Sequence, residues 1–514
     1  MPLQAISGEI RSQMLNDNFS FLDGEKIGKG NLPFFNVKDS GAIGDGVADD
    51  TVIIQSALDK ASTLAFPSKV VIPAGTYKLT AELLIKKNTY LELHPNAVLK
   101  RSHNGNIIRN YRTTDSFAGY NGNGNIVIDG GTFDCNGANF TTTCNGIALA
   151  HAEHIQIRNI TIKDVVNGHA IEATGIRHWS VRNSKFLGYK DTDTTHYYNE
   201  AIQVELTNEA GYVGNLDDYT PSHFGVVEGC YFANSGTSGF SPYPCGVGAH
   251  GAAANIWYDY ISVINNTFEA CSYWAVRPFK WSNAIVQGNK MKNCAGGVYV
   301  ANPATGSESA KDSNGVGQPA QPTYNVIIVE NIMTGLTGDG IKLEGQSDAY
   351  ITRMKVADNV MDSLTGRGVY MKYVSHSMVE GNVINGATNN GMFIDYCASI
   401  DFNDNRISNV NFYGFNIAGT NTALTFINNR ITNPSQATDN QYDGFIISNG
   451  NSDVRLNNNR VRTESGKLKA RYGCNIQTGV TGVVRFGNDF KCGAGTASLI
   501  DTSTTPVTSS SDVV

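Results

Sequence analysis

From Asn159 to Asn488 the chain repeats one five-residue pattern: a small residue, an apolar one, any residue, a second apolar one, any residue. It reads Ala170-Ile171-Glu172-Ala173-Thr174, Ala201-Ile202-Gln203-Val204-Glu205 and Gly246-Val247-Gly248-Ala249-His250, and later Gly340-Ile341-Lys342-Leu343-Glu344 and Gly391-Met392-Phe393-Ile394-Asp395. In phase with it, a second apolar strand closes on asparagine at Asn266, Asn289, Asn331, Asn359, Asn382, Asn405, Asn429, Asn459 and Asn488. A basic unit of about 23 residues, lengthened by insertions, marks a solenoid in which each repeat buries its apolar face only against its neighbours. The apolar positions alternate with period two, so the unit is β rather than α. Short strands joined by Gly and Asn corners predict an all-β, right-handed parallel β-helix of about 11 to 13 coils. A leucine-rich repeat would need a recurrent leucine pattern and a helical segment. The corner asparagines tolerate left-handed backbone angles and can hydrogen-bond to their counterparts one coil away, forming a ladder.

The flanks read differently. Residues 1–30 carry Ile10, Met14, Leu15, Phe19 and Leu22 at near-helical spacing, a segment too short to fold alone and expected to serve attachment or oligomerisation. Residues 31–62 form an entry segment, in which Asp49 and Asp50 stand at an N-cap before the amphipathic stretch Val52–Ala61. A helix there would cover the open end of the solenoid. Residues 63–495 then form the β-helix, with groove loops at about 187–245, and residues 496–514 a frayed tail.

Composition narrows the partners. The net charge is −7 and only 17% of residues are charged, which disfavours nucleic acid and anionic membrane, since each would need a basic face. Nine cysteines sit mostly at repeat positions, as expected of buried free thiols. No run of 18 apolar residues occurs, and Met1-Pro2-Leu3-Gln4 has neither a basic n-region nor an apolar h-region. The expectation is synthesis in the cytoplasm without a secretory signal.

The stretch from Phe35 to Ala61, followed by Val70-Val71-Ile72-Pro73-Ala74-Gly75-Thr76-Tyr77, resembles the entry segment of the pectate-lyase-like β-helix superfamily, widespread in bacteriophage tailspikes and polysaccharide-degrading enzymes. With the coils, the resemblance covers about residues 35–490. It implies a tailspike-type depolymerase: a homotrimer on a virion tail, attached to the tail or baseplate through residues 1–30, with a bacterial surface polysaccharide (capsule, O-antigen or teichoic acid) as partner. The superfamily includes lyases, hydrolases, epimerases and non-catalytic binders, so the chemistry stays open.

Outward positions of the repeated strand fall two residues apart and stack coil on coil, forming two columns on one face. One reads Glu172, Gln203, Gly248, Arg277, Tyr299, Lys342, Tyr370, Phe393 and Asn416; the other Thr174, Glu205, His250, Phe279 or Lys280, Ala301, Glu344, Lys372 and Asp395. Insertions rich in Tyr, Asp, Gly and Pro at Tyr189–Tyr198, Asn208–His223 and Ser235–Pro244 would wall a groove over Glu172 to Arg277. Glycoside hydrolysis needs two carboxyl groups flanking the bond, and Glu172 and Glu205 are offset by one coil and two residues, which suits an inverting pair. Glu200 is a third candidate acid, because Asn199-Glu200-Ala201-Ile202 resembles the acid-bearing segment of polygalacturonases. The following Gly248-Ala249-His250-Gly251 and Arg277-Pro278-Phe279-Lys280 resemble that family's Gly-His-Gly and Arg-Ile-Lys, with one extra residue before the lysine.

Hydrolysis is therefore the leading expectation, with Glu200, Glu205 and Glu172 as catalytic acids. Gln203, His250, Arg277, Lys280, Tyr299, Lys342, Glu344, Tyr370, Lys372 and Asp395 are expected to bind substrate. The alternatives are a lyase using His250 or Tyr299 as base with Arg277 and Lys280 on a uronate carboxylate, and a non-catalytic receptor-binding tail protein. No cofactor is expected, and no metal, since no His or Cys pair shows ligand spacing.

Overall fold

The computed structural model describes residues 33–64, 67–208, 217–507 and 511–514. The expected attachment segment, residues 1–30, lies outside the described residues. By its internal contacts the chain divides into two units, the first comprising residues up to 193 with 202–230 and 235–240, the second 194–201, 231–234 and 241–514. Both are built from right-handed parallel β-helix coils, as the sequence pattern predicts.

In the first unit, one parallel sheet stacks Val70, Leu91, Ile128, Ile157, Val181 and Val227 in register. A second stacks Tyr77, Leu99, Phe133, Ile162 and Phe186. These side chains are buried, so the alternation seen in sequence is an inward column filling the coil interior. The entry helix runs Thr51–Ser62 and buries Ile54, Ala57, Leu58 and Ala61, the 3–4 spacing of a one-sided helix. Its Gln55 side chain pairs with the backbone of Leu84 through both the amide nitrogen (3.0 Å) and oxygen (2.8 Å), satisfying a strand that helix packing leaves at the rim. The expected caps divide their work. Asp49 accepts from the Thr51 amide at 3.0 Å, whereas Asp50 turns away and binds the amides of Ile43 and Gly44 at 2.7 and 3.1 Å.

In the second unit, Val286, Ile328, Val356, Val379, Phe402, Phe426 and Leu456 form one inward column. Phe268, Met291, Met333, Met361, Ile384, Ile407, Ile431 and Val461 form another. A third, Val276, Val298, Ile341, Val369, Met392, Phe415 and Phe445, belongs to the strand that carries the candidate site on its outer face.

The asparagine ladder is continuous. Asn382, for example, accepts from Asn359 Nδ2 at 2.9 Å and donates to Asn405 Oδ1 at 3.0 Å, and the series ends where Asn488 meets Asp512 at 2.8 Å. The left-handed residue, however, is the one before each rung: Asn265, Gly288, Glu330, Asp358, Gly381, Asp404, Asn428, Asn458 and Gly487 all have positive φ. The rung itself stays buried with its amide turned inward, so the reversal falls one position earlier. The tail also differs from expectation: Ala497–Asp501 pairs in parallel with Tyr472–Ile476, and Arg485 is held between Asp501 and Asp512. All nine cysteines are free and buried. No helix among the described residues is long and apolar enough to cross a membrane.

Candidate functional site

In the first unit the register aligns Glu172 with Gln203 and Thr174 with Glu205, so the two acids stand one coil and two residues apart, the offset the sequence pattern implies. Both are nearly fully buried. Asn145 Nδ2 donates to Glu172 at 2.5 Å, and Gln203 Nε2 reaches Glu205 at 3.3 Å. Of the groove loops, residues 209–216 lie outside the described residues, and Thr237 anchors its loop on Asp164 at 2.8 Å.

Glu200 belongs to the second unit, with His250 and Arg277. Its carboxylate is fully buried and lies 2.9 Å from His250 Nδ1, while the imidazole side chain is 23% exposed. A carboxylate on Nδ1 sets the tautomer whose lone pair is on Nε2, the arrangement that orients a histidine for proton transfer. Tyr198 packs edge-on against the imidazole, with centroids 5.1 Å apart, and Tyr197 meets Tyr198 at 5.0 Å. Gly248 makes the pair possible: a Cβ there would stand 2.9 Å from Arg277 Cβ and 3.3 Å from Glu200 Cγ.

Arg277 pairs in register with Gly248 and donates from Nη1 to the carbonyl of Ala249, the residue before His250, at 3.1 Å. Its guanidinium lies over the rings of Phe279 and Tyr273, at 5.0 and 5.8 Å. Among the described residues it has no carboxylate partner, and its buried Nε donor has no acceptor. A buried guanidinium donor left unmatched is costly, and a carboxylate is the group that best satisfies it.

The next rungs are internally satisfied. Tyr299 stacks in register with Lys342 and Ala301 with Glu344; Tyr299 Oη donates to Glu344 at 2.6 Å, and Lys342 reaches the same carboxylate at 2.8 Å. Burial and the hydrogen bond and charge of Glu344 push the Tyr299 phenol well above its ordinary value. Burial alone would raise the Glu344 carboxyl, but the Lys342 and Tyr299 hydrogen bonds outweigh it and hold the carboxyl low. Beyond, Tyr370 stacks on Phe393 at 5.6 Å under the guanidinium of Arg367, 4.2 Å from the Tyr370 ring, and Lys372 lies 3.9 Å from Asp395. Burial raises the Asp395 carboxyl against the pull of Lys372. Trp274 extends the ring series with Tyr299 at 5.1 Å.

Lys280 is a correction. Its positive φ turns it out of the strand, and it is fully buried with its ammonium on the carbonyl of Ala253 and on Gln321 Oε1, over the Trp257 ring. It does not reach the outer face. Tyr198, Trp274 and Arg367 were missed; they lie outside the alternating positions, and only the clustering of tyrosines before Glu200 hinted at the first.

Residues 34–299 match the family described as rhamnogalacturonase A/epimerase, pectate lyase-like, and residues 308–461 match the right-handed β-helix region. The chain belongs to the rhamnogalacturonase A/epimerase, pectate lyase-like family. It is 29% identical over 292 residues to plasmin and fibronectin-binding protein A of Streptococcus pneumoniae, a match spanning 52% of this chain and 40% of that protein. Over 64 residues it is 45% identical to mannuronan C5-epimerase AlgE5 of Azotobacter vinelandii, 11% of this chain and 6% of that one. The chain therefore spans well under two thirds of the length of the curated relatives it matches. Among solved structures, the pneumococcal adhesin PfbA superposes with a TM-score of 0.60 at 23% identity, covering 76% of this chain and 99% of that one. The tailspike protein of E. coli bacteriophage HK620, solved with a pentasaccharide, gives 0.55 at 12% identity, covering 88% and 80%. These two likenesses are of fold.

Proposed function

We propose that the protein cleaves an acidic bacterial surface polysaccharide by β-elimination at the His250 site, as a tailspike-type depolymerase. The observation that carries this reading is Arg277: a guanidinium without a carboxylate partner among the described residues, hydrogen-bonded to the residue preceding a carboxylate-oriented histidine. In this reading Arg277 receives the uronate carboxylate and so acidifies the C5 proton. His250 Nε2 takes that proton, the electron pair forms the C4–C5 double bond, the C4–O bond breaks, and the leaving oxygen is protonated. Glu200 is fully buried and positions the imidazole rather than touching the sugar. At the head of the ring series, the partly exposed Trp274 offers an apolar surface to a sugar ring, while Lys342 lies over Tyr299 and Arg367 over Tyr370 and Phe393. Assembly as a homotrimer on a phage tail is part of the reading and rests on the resemblance of the entry segment.

Hydrolysis is the second reading, favoured by the register that sets Glu172 and Glu205 one rung and two residues apart. Incubating the full chain with uronate-bearing bacterial polysaccharides, while following reducing ends and the ultraviolet absorbance of the new double bond, separates the two. Elimination yields both signals, and His250→Ala lowers them by about 10²- to 10⁴-fold. Reducing ends without absorbance, unchanged in His250→Ala, would transfer the chemistry to the carboxylate pair. Binding without either signal would leave a recognition protein, the role named for the pneumococcal relative.

A further inference from the structure

In the second unit the second sheet carries three arginines on successive coils: Arg406 pairs in register with Arg430, and Arg430 with Arg460. All three are exposed. They line a groove of about 450 Å³ with Asp404, Asn428 and Asp489. Asp489 is engaged by Arg462, and Arg406, Arg430 and Arg460 form no ion pair among the described residues. Asp404 forms none either, so the groove holds three cations against one unmatched carboxylate. Like charges directly opposite one another destabilise a strand pair, and rungs are about 4.8 Å apart, so the column strains the face it decorates. A linear polyanion with a charge on each residue relieves all of that repulsion at once, where a single small anion relieves part of it. Planar guanidinium forks suit carboxylates in two-point contacts, and the corner amides beside them, where Asn458 Nδ2 donates to Asn428 Oδ1 at 2.6 Å, present the donors and acceptors that sugar hydroxyls use.

We infer that the Arg406–Arg430–Arg460 column is an accessory binding site for a carboxylate-bearing polysaccharide chain lying along the coils, separate from the His250 site. The inference rests on the proposed function only for the class of ligand; the chemistry at His250 plays no part in it.

The test is binding, measured with fluorescein-labelled polygalacturonate oligomers by anisotropy across a salt series, on the intact chain. Alanine at all three positions should weaken binding by at least about tenfold and flatten the dependence of log affinity on log salt by about two to three, since each neutralised contact contributes somewhat under one. Lysine at all three keeps the charge and should recover most of the salt slope but less of the affinity. All variants are compared in the His250→Ala background, in which the proposed elimination of the probe is suppressed, so a failed cleavage reading and a failed accessory site give different results. Unchanged affinity in the triple alanine variant with an unaltered melting temperature overturns the inference. A single-stranded oligodeoxynucleotide binding the column more tightly than the uronate oligomer overturns it too, in favour of phosphate recognition.

Discussion

Replacing Lys280 with methionine should change how stability depends on pH while leaving the proposed glycan cleavage intact. The ammonium is fully buried against neutral acceptors, and burial pushes its pKa down to about 8. An unfolded lysine titrates near about 10.4. Between these values the unfolded chain holds a proton that the folded chain lacks, so this residue adds stability as pH rises through the window. The gap corresponds to about 3 kcal/mol. Buried thiols act the other way: burial holds Cys230 and Cys397 up to about 12, so their contribution is present below the ordinary thiol value and lost as pH rises past it. The raw curve therefore mixes two signs, and the informative quantity is the difference between parent and Lys280→Met at each pH, from urea unfolding between about pH 7 and pH 10.5. That difference should move in favour of the parent by about 3 kcal/mol across the window. A difference that stays flat refutes the desolvated lysine. Loss of glycan processing in a folded Lys280→Met protein would return this side chain to the substrate.

Two further substitutions probe the frame and the site. Asn382→Ala removes four ladder hydrogen bonds, two accepted from Asn359 and two donated to Val356 and Asn405; at about 1 kcal/mol or more for each buried group left unmatched, urea unfolding should show a loss of about 4 kcal/mol. Gly248→Ala places a Cβ 2.8 Å from the Arg277 carbonyl oxygen and 3.3 Å from Glu200 Cγ, so kcat/KM should fall about 100-fold through misplacement of a strand by a fraction of an ångström, with the far-ultraviolet circular dichroism of the parent retained.

The coils were legible because burial on a parallel stack forces a period of two, and because each rung repeats its neighbour's environment; Val276, Val298, Ile341 and Val369 had one place to go. The ladder asparagines were legible for the same reason. The corner was misread by one residue because the reversal tolerates Gly, Asn, Asp and even Glu330, whereas the buried amide tolerates only Asn, so the conspicuous letter was not the strained one. The outward columns followed directly from register, which aligns Tyr299 with Lys342 and Glu344 with Lys372. What register could not deliver was reach. Lys280 leaves the strand through one left-handed angle, and the Glu200–His250 contact joins residues 50 apart across an insertion whose path no periodicity encodes.

That distinction also separates structural charges from functional ones. Along the outer face, Lys342 and Tyr299 share Glu344, Lys372 faces Asp395, and Arg367 lies 3.0 Å from Asp339; each cation has its anion, so these pairs contribute to the frame and gain little from a ligand. Arg277 and the Arg406–Arg430–Arg460 column break that rule within a chain of net charge −7. An acidic protein has carboxylates to spare, so a guanidinium left unmatched at a strand face is a position where folding supplied a cation and withheld the counterion. In the proposed reading the group that completes each comes from outside, and the Arg277 site and the arginine column, on different sheets of one unit, both suit a ligand with many charges.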